Sequence, residues 1–254
     1  MYDFLFYKPI YNLIVYLSEH LVSFGWAIII STIIIKLILY PLFSSQIKNQ
    51  IAVKKAQPEL KKIQEKLKDK KISQAERQAL MFKMMEVNKK YGVKMFAPLV
   101  NMVIQITILL TLYLVIKKGF PDIKTEYLYD FVKSPENINF NFYGIDLLKP
   151  SIIIAILASV TQFIYTSVSM PDVKFSDLKA GNSSKEDMMK TFMVYIKYFM
   201  PLMIFFVLLG LNSALGLYWI ISNIFMSLQE KRVRADKEEL KKITEELKNK
   251  KDNK

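Results

Sequence analysis

The fold is decided by the stretch WAIIISTIIIKLILYPLF, residues 26–43, an apolar run long enough to cross a lipid bilayer. Its one charged residue is Lys36. At 1.5 Å per residue, the helical rise from Ser44 back to Lys36 places that Cα roughly 12 Å below the membrane surface, about twice the reach of a lysine side chain. Inserting an ammonium group deep in a span costs roughly 2.5–3.5 kcal/mol, so we expect a polar cavity around Lys36. The alternative is a tolerated lysine that is paired with backbone carbonyls.

The composition indicates a membrane protein with basic loops. The chain has 254 residues, a net charge of +13 and 52% hydrophobic residues, which is more typical of a polytopic membrane protein than of a soluble nucleic-acid-binding protein. The absence of cysteine excludes disulfides and thiolate metal sites. The single histidine, His20, is predicted at the membrane interface. Because there is no phosphate-binding loop, no HExxH motif and no pair of intramembrane carboxylates, we expect no enzyme activity, no metal and no cofactor.

The pattern of apolar and charged runs predicts an all-α polytopic membrane protein with five transmembrane helices. A cytoplasmic helical hairpin separates spans 1 and 2, and an interfacial helix precedes span 1. The predicted segments, in chain order, are the interfacial helix 1–22, span 1 at 23–45, the hairpin 46–93, span 2 at 94–117, an extracytoplasmic loop 118–150, span 3 at 151–170, a cytoplasmic loop 171–195, span 4 at 196–211, span 5 at 213–229 and a basic tail 230–254.

Local signals refine this organisation. The aromatic residues of the first segment are expected in the lipid headgroup zone, where amphipathic rings collect. In the hairpin, Ser73 and Glu76 form a predicted capping box, Gly92 is placed to end the second helix, and the methionines of that helix are interpreted as filling between the two legs. The last two spans are expected to be legs of only about 22 Å, short enough to thin the bilayer locally.

The distribution of lysine predicts the orientation. The hairpin and the tail carry most of the basic excess, whereas the loop 118–150 is nearly balanced in charge. The positive-inside rule therefore puts the hairpin and the C-terminus in the cytoplasm and the N-terminus outside.

Four spans carry polar residues in pairs spaced by four positions, so that each pair lies on one helix face. All are predicted in the cytoplasmic half of their spans. The pairs are Thr32 and Lys36, Asn101 and Gln105, Gln162 and Thr166, and Trp219 and Asn223. Four such faces at one depth predict a wet cavity that is open to the cytoplasm and sealed outside. The alternative is that these side chains only form hydrogen bonds between packed helices.

The chain resembles the YidC/Oxa/Alb family of membrane protein insertases over nearly its whole length after residue 9. The segments that carry the resemblance are GWAIIISTIIIKLILYPLF (25–43), QPELKKIQEKL (57–67), APLVNMVIQITILLTLY (97–113), SIIIAILASVTQF (151–163), the MP of YFMPLMIFF (198–206) and LGLYWIISNIFMSLQ (215–229).

The resemblance implies that the basic residue of the first span lies in a hydrophilic groove, which assigns that role to Lys36. Thr32, Gln162 and Trp219 occupy matching groove positions. The physical argument above adds the other four residues of the pairs. Two features depart from the family pattern: the usual groove residue is arginine, and the segment GVKMFAP (92–98) replaces the usual elements before the second span.

The expected function is that of an insertase and chaperone in a bacterial cell membrane. Its expected partners are nascent membrane proteins, the ribosome, the Sec translocon and membrane lipids. A small-solute transporter or channel is the alternative, and it would need a polar path through the outer leaflet or an inverted repeat. A pure assembly scaffold is a third possibility, but it leaves Lys36 unexplained.

Overall fold

The structure, a computed structural model, describes residues 3–67, 72–94, 96–170, 174–175 and 185–252, without the side chains of residues 98, 101, 102, 185–190 and 238–252. Most of the predicted hairpin turn, and residues 171–173 and 176–184 of the predicted loop 171–195, lie outside these residues. The chain divides into two compact units. The first comprises Met1–Leu39 and Ile106–Lys231, and the second comprises Tyr40–Gln105 and Arg232–Lys254.

Helices dominate the described residues. They are α1 (Lys8–His20), α2 (Phe24–Ile38), α3 (Tyr40–Leu67), α4 (Gln74–Tyr91), α5 (Ala97–Gly119), α6 (Ile152–Ser169), α7 (Lys185–Leu208) and α8 (Ser213–Asp252). The fold is not purely helical, because β1 (Asn141–Phe142) and β2 (Ile145–Asp146) form a short antiparallel pair in the predicted extracytoplasmic loop. A π-helical turn at Asp3–Tyr7 leads into α1, and a 3₁₀ turn spans Thr125–Tyr127.

By length and composition, two segments of the described residues can cross a membrane, namely Ile152–Ser169 and Thr191–Leu208. A third span results if α2 and α3 are counted as one broken helix. The sequence contains the breaker, because Pro41 has no N–H to donate and is tolerated only in the first turn of a helix. Accordingly α2 ends at Ile38 and α3 begins at Tyr40, inside the predicted span 23–45.

Two helices in the last third of the chain extend past the predicted boundaries of their spans. Helix α7 already begins at Lys185, inside the predicted loop, and its membrane-compatible part of 18 residues is about 27 Å long rather than 22 Å. Helix α8 continues as one helix of 40 residues through both the predicted span 5 and the predicted tail. The charged tail consists mostly of good helix formers, so nothing after Gly216 stops the helix.

The core of the first unit lies between α6, α7 and α8. Buried side chains of all three helices form one cluster: Ile154, Ala155, Ala158, Ile204, Leu208 and Ile220. Ser159 adds a hydrogen bond to the carbonyl oxygen of Pro201 at 2.8 Å. That carbonyl belongs to α7, so apolar packing and a polar bond both join α6 to α7.

Helix α1 packs against the loop that follows α5. Asn12 donates to the carbonyl of Tyr127 at 2.8 Å and accepts from the amide of Tyr129 at 2.6 Å, while the Tyr11 hydroxyl accepts from the amide of Lys124 at 2.7 Å. Tyr7 stacks on Tyr11, and both rings are buried. These two tyrosines therefore pack against protein, and the expected headgroup position of the N-terminal aromatic residues stays a prediction.

In the second unit, α3 and α4 pack along an apolar seam formed by Ala56, Ile63 and Val87. The capping box is present, since the Ser73 hydroxyl accepts from the Glu76 amide and the Glu76 carboxylate accepts from the Ser73 amide. Helix α4 ends at Gly92, whose φ of 68° lies in the left-handed region that glycine adopts without strain. Both local predictions are confirmed.

Polar contacts reinforce this helix pair. Glu59 of α3 accepts hydrogen bonds from Lys90 at 2.7 Å and from Tyr91 at 2.6 Å. The hydrogen bond from Lys90, followed by that from Tyr91, holds the pKa of Glu59 below its usual value. Of the methionines interpreted as filling between the legs, Met84 does pack on the seam, but Met81 and Met85 are more than half exposed.

Candidate functional site

The charged residue singled out by the sequence is completely buried. Lys36 lies in the last turn of α2 with 0% of its surface exposed. One turn before it, Thr32 is also buried, and its hydroxyl donates to the carbonyl of Ile28 at 2.6 Å. Ser31 donates to the same carbonyl at 3.0 Å. These hydroxyls are satisfied within α2, so they add no unpaired polar atoms around Lys36.

Helices α6 and α8 bring two of the predicted polar pairs together. The indole N–H of Trp219 donates to Oε1 of Gln162 at 2.9 Å. One turn further along α8, Nδ2 of Asn223 lies 3.4 Å from Oγ1 of Thr161. Gln162 and Asn223 are buried, whereas Trp219 is half-buried and packs against the core between α6, α7 and α8.

Helix α7 contributes a buried charged residue that the sequence reasoning missed. Lys197 is buried, and its ammonium group donates to the carbonyl of Met170 at 3.2 Å. The carbonyl of Lys197 accepts from the hydroxyl of Thr166 at 3.3 Å. The signal was present, because Lys197 is the single charged residue in the apolar stretch Thr191–Leu208. It is the second residue of the predicted span 4, next to the predicted cytoplasmic loop.

Glu230 was also missed. It is 1% exposed in α8, although it was assigned to the basic tail. Among the described residues, the buried charged side chains are Lys36, Lys197 and Glu230, and all three belong to the first unit. The polar interior of this unit therefore carries more charge than the sequence analysis recognised.

Asn101 and Gln105 belong to the second unit, whereas the other six predicted residues belong to the first. The side chain of Asn101 lies outside the described residues, and Gln105 is half-buried. The candidate site is therefore defined by the six residues of the first unit, which are Thr32, Lys36, Gln162, Thr166, Trp219 and Asn223.

This geometry restricts what the site can do. Bonds between helices or within them account for Gln162, Thr166 and Trp219, as the packing alternative expected. A residue with no exposed surface cannot line an open aqueous cavity, so the predicted cavity does not reach Lys36 here. Among the described residues no cluster of three or more His, Asp or Glu side chains could hold a metal ion. The site therefore consists of a buried lysine together with polar side chains that form hydrogen bonds between or within helices.

Comparison with known proteins identifies the family. The model of the family described as 60Kd inner membrane protein matches residues 16–242. The chain is also similar to the membrane protein insertase YidC of Staphylococcus aureus strains JH9, Newman and MW2. The identity to each is 34% over 236 residues, which cover 88% of this chain and 72% of the relative. The range 16–242 matched by the family model contains all six positions of the candidate site. The chain therefore belongs to the YidC/Oxa/Alb family of membrane protein insertases.

Proposed function

We propose that this chain inserts hydrophobic segments of nascent membrane proteins from the cytoplasm into the lipid bilayer, and acts as their chaperone. The observation that carries the proposal is Lys36, a fully buried cation on an apolar helix within the region that matches the family. A buried charge in a membrane segment is costly and marks a functional position by default. The family is one of insertases rather than of catalysts, which fits the absence of any enzyme motif in the sequence.

In the proposed mechanism a substrate enters a groove lined by Lys36 and the other residues of the candidate site. The polar part of the substrate replaces water with contacts to the ammonium group, to Gln162 and to Asn223. Its apolar part moves directly into lipid. Transfer of apolar surface out of water supplies the driving force, at about 25 cal/mol per Å². Because Lys36 has no exposed surface, the groove must open around it when a substrate binds.

The proposed topology has five spans, with the N-terminus outside and both the α3–α4 pair and the C-terminus in the cytoplasm of a bacterium. Apolar helices and the family match support a multi-pass protein of the bacterial cell membrane. The lysine bias supports the orientation, because basic residues concentrate in α3, α4 and the end of α8. The remaining loop, between α5 and α6, lies outside in this arrangement.

A basic surface in the second unit supports the ribosome as a partner. The ammonium group of Lys237, in the second half of α8, lies 3.5 Å from the carbonyl oxygen of Lys48. Partial burial and the charges of Lys55 and Lys48 lower the pKa of Lys237, so three lysines lie close together. Such a patch suits ribosomal RNA, and it also suits anionic lipid headgroups. The Sec translocon is proposed as a second partner for larger substrates.

The alternative function, a small-solute transporter or channel, requires a polar path through the outer half of the spans. The buried residues at the start of α2 are Phe24, Ala27 and Ile28, which do not provide one. A pure scaffold would not need a buried lysine. The insertase proposal therefore accounts for the buried Lys36 better than the transporter or the scaffold alternative does.

The function is tested with the purified chain in liposomes that contain no other protein. A ribosome-bound small membrane protein with one or two spans should become protected from protease in these vesicles, but not in protein-free liposomes. Flux of small solutes should stay at the background level in the same vesicles. Solute flux without insertion would support the transporter alternative and contradict the insertase proposal.

The topology has its own test because the chain contains no native cysteine. Ser134 and Gln74 are both exposed, so a cysteine at either position is open to a reagent. In intact cells a membrane-impermeant maleimide should label S134C at once and label Q74C only after permeabilisation. The reverse labelling pattern would overturn the orientation.

A further inference from the structure

A pocket of about 350 Å³ lies in the second unit, where α3 begins and α5 begins. It is lined by Leu42, Ser45, Gln46, Lys94, Phe96, Ala97 and Val100. Its volume lies in the range of small-molecule sites. None of the groove residues lines it. The segment GVKMFAP, which departs from the family pattern, supplies three of the lining residues.

The lining combines polar and apolar residues. Lys94, Gln46 and Ser45 offer an ammonium group, an amide and a hydroxyl, and the described residues that line the pocket include no carboxylate. Leu42 and Val100 form part of the apolar lining. The pocket also adjoins the first turn of α5, where the helix dipole favours an anion. A ligand that fits has an anionic head and a hydrocarbon tail.

The backbone of Lys94 is held in place by a side chain of α3. The side chain of Asn49 is buried in α3, and it donates to the carbonyl of Lys94 at 3.0 Å and accepts from the amide of Lys94 at 2.6 Å. Two bonds from one side chain fix the position of this residue before α5 starts. The side chain of Lys94 therefore extends from a backbone position that is fixed at the pocket.

The position of the pocket in the proposed topology indicates the class of its ligand. Leu42 and Ser45 end the predicted first span, and Ala97 and Val100 begin the predicted second one, so the proposed topology puts the pocket at the cytoplasmic surface of the bilayer. Phe96 is 74% exposed there and contributes apolar surface beside the pocket. Basic pockets between helices on the cytoplasmic side suit anionic phospholipid headgroups. By contrast, a second pocket of similar size, at the α3–α4 pair, includes the carboxylate of Glu76.

We propose that this pocket binds an anionic phospholipid, with its phosphate on Lys94 and the upper part of an acyl chain along Leu42 and Val100. The proposal rests on the proposed topology for the leaflet concerned, but it does not require that the chain inserts proteins. A bound lipid would anchor the start of α5 to the start of α3.

The test measures lipid binding by native mass spectrometry on the full chain in detergent, with phosphatidylglycerol and phosphatidylcholine as probes. The parent should bind one phosphatidylglycerol more tightly than phosphatidylcholine. Lys94→Gln should weaken phosphatidylglycerol binding about tenfold, because a charge-assisted contact is lost. Lys89→Gln, which removes the same charge from the exposed side of α4, is the matched control and should change binding less than twofold.

A pocket-filling variant distinguishes binding of the lipid in this pocket from a general attraction of anionic lipid to the basic protein surface. Ala97→Phe keeps every charge and should also weaken phosphatidylglycerol binding, provided circular dichroism shows an unchanged helix content. Three results would overturn the proposal: equal effects of K94Q and K89Q, unchanged binding in a folded A97F protein, or displacement of the lipid by inorganic phosphate alone, which would mark a free-anion site. Because no insertion is measured, a failed insertase proposal cannot produce any of these results.

Discussion

Replacing Lys36 with methionine should reduce the insertion of substrates with an acidic translocated segment roughly ten- to a hundredfold. The reason is that the ammonium group is fully buried, where a contact with a carboxylate is stronger than in water. Losing one charge-assisted hydrogen bond costs about 1.5–3 kcal/mol, which corresponds to that range of rates or affinities. Lys36→Arg should retain function, and Lys36→Glu should be worse than Lys36→Met, because it places a repulsive charge at the same depth.

The substrate series separates charge from folding. Insertion of a substrate whose segment is neutral should depend on Lys36 much less than insertion of an acidic one. Lys197→Met is a matched control, since it removes another buried ammonium group of the same unit, one whose hydrogen bond to Met170 is internal. Membrane abundance is measured for each variant. If K36M inserts acidic substrates as well as the parent does, the electrostatic mechanism is wrong, although the family assignment stands.

The second large effect is expected at Gly216 in α8, where the helix lies against Ile154 of α6. A Cβ at Gly216 would lie in severe overlap with Cγ2 of Ile154, a branch methyl close to the backbone that cannot swing away easily. Gly216→Ala should therefore cost about 1–3 kcal/mol of stability, as overpacking does elsewhere, and Gly216→Leu should cost more. The measurement is the thermal unfolding midpoint of the purified protein in detergent.

The chain supplies a control and a rescue for this prediction. Gly210 has only ordinary contact around an added Cβ, whose nearest neighbour is the Val207 carbonyl oxygen at 3.7 Å, so Gly210→Ala should leave stability nearly unchanged. Adding Ile154→Ala to Gly216→Ala should recover part of the loss, because it removes the overlapping methyl group. An unchanged midpoint for G216A would contradict the close approach of α6 and α8.

Periodic signals in the sequence predicted much of what the structure contains. The four-residue spacing identified Gln162 and Trp219, which bond to each other, and Asn223, which lies 3.4 Å from Thr161 of α6. The capping box and the helix-ending Gly92 were equally visible, because each depends only on neighbours in the chain. Local chemistry thus predicted local structure and the faces of individual helices.

What the sequence could not predict depends on contacts distant in the chain. In the sequence Tyr11 looks like any other interfacial aromatic residue. Its ring is buried, and its hydroxyl accepts a hydrogen bond from the loop after α5. Lys197 and Glu230 lie at the edges of apolar runs, where composition alone cannot distinguish a solvated charge from a buried one. The break before Tyr40 follows from Pro41, but a strongly apolar run concealed it.

The most direct test of the insertase proposal is photo-crosslinking from the candidate site to a ribosome-bound nascent membrane protein. A photoreactive phenylalanine analogue replaces Trp219, which is half-buried beside Gln162, or Phe206 of α7, which is 62% exposed on an apolar surface. Both changes keep an aromatic ring, so they form a matched pair. A nascent chain arrested with its first apolar segment emerging should crosslink strongly at position 219 and weakly at position 206. Equal yields at the two positions, or a crosslink at 206 alone, would contradict a substrate path through this site.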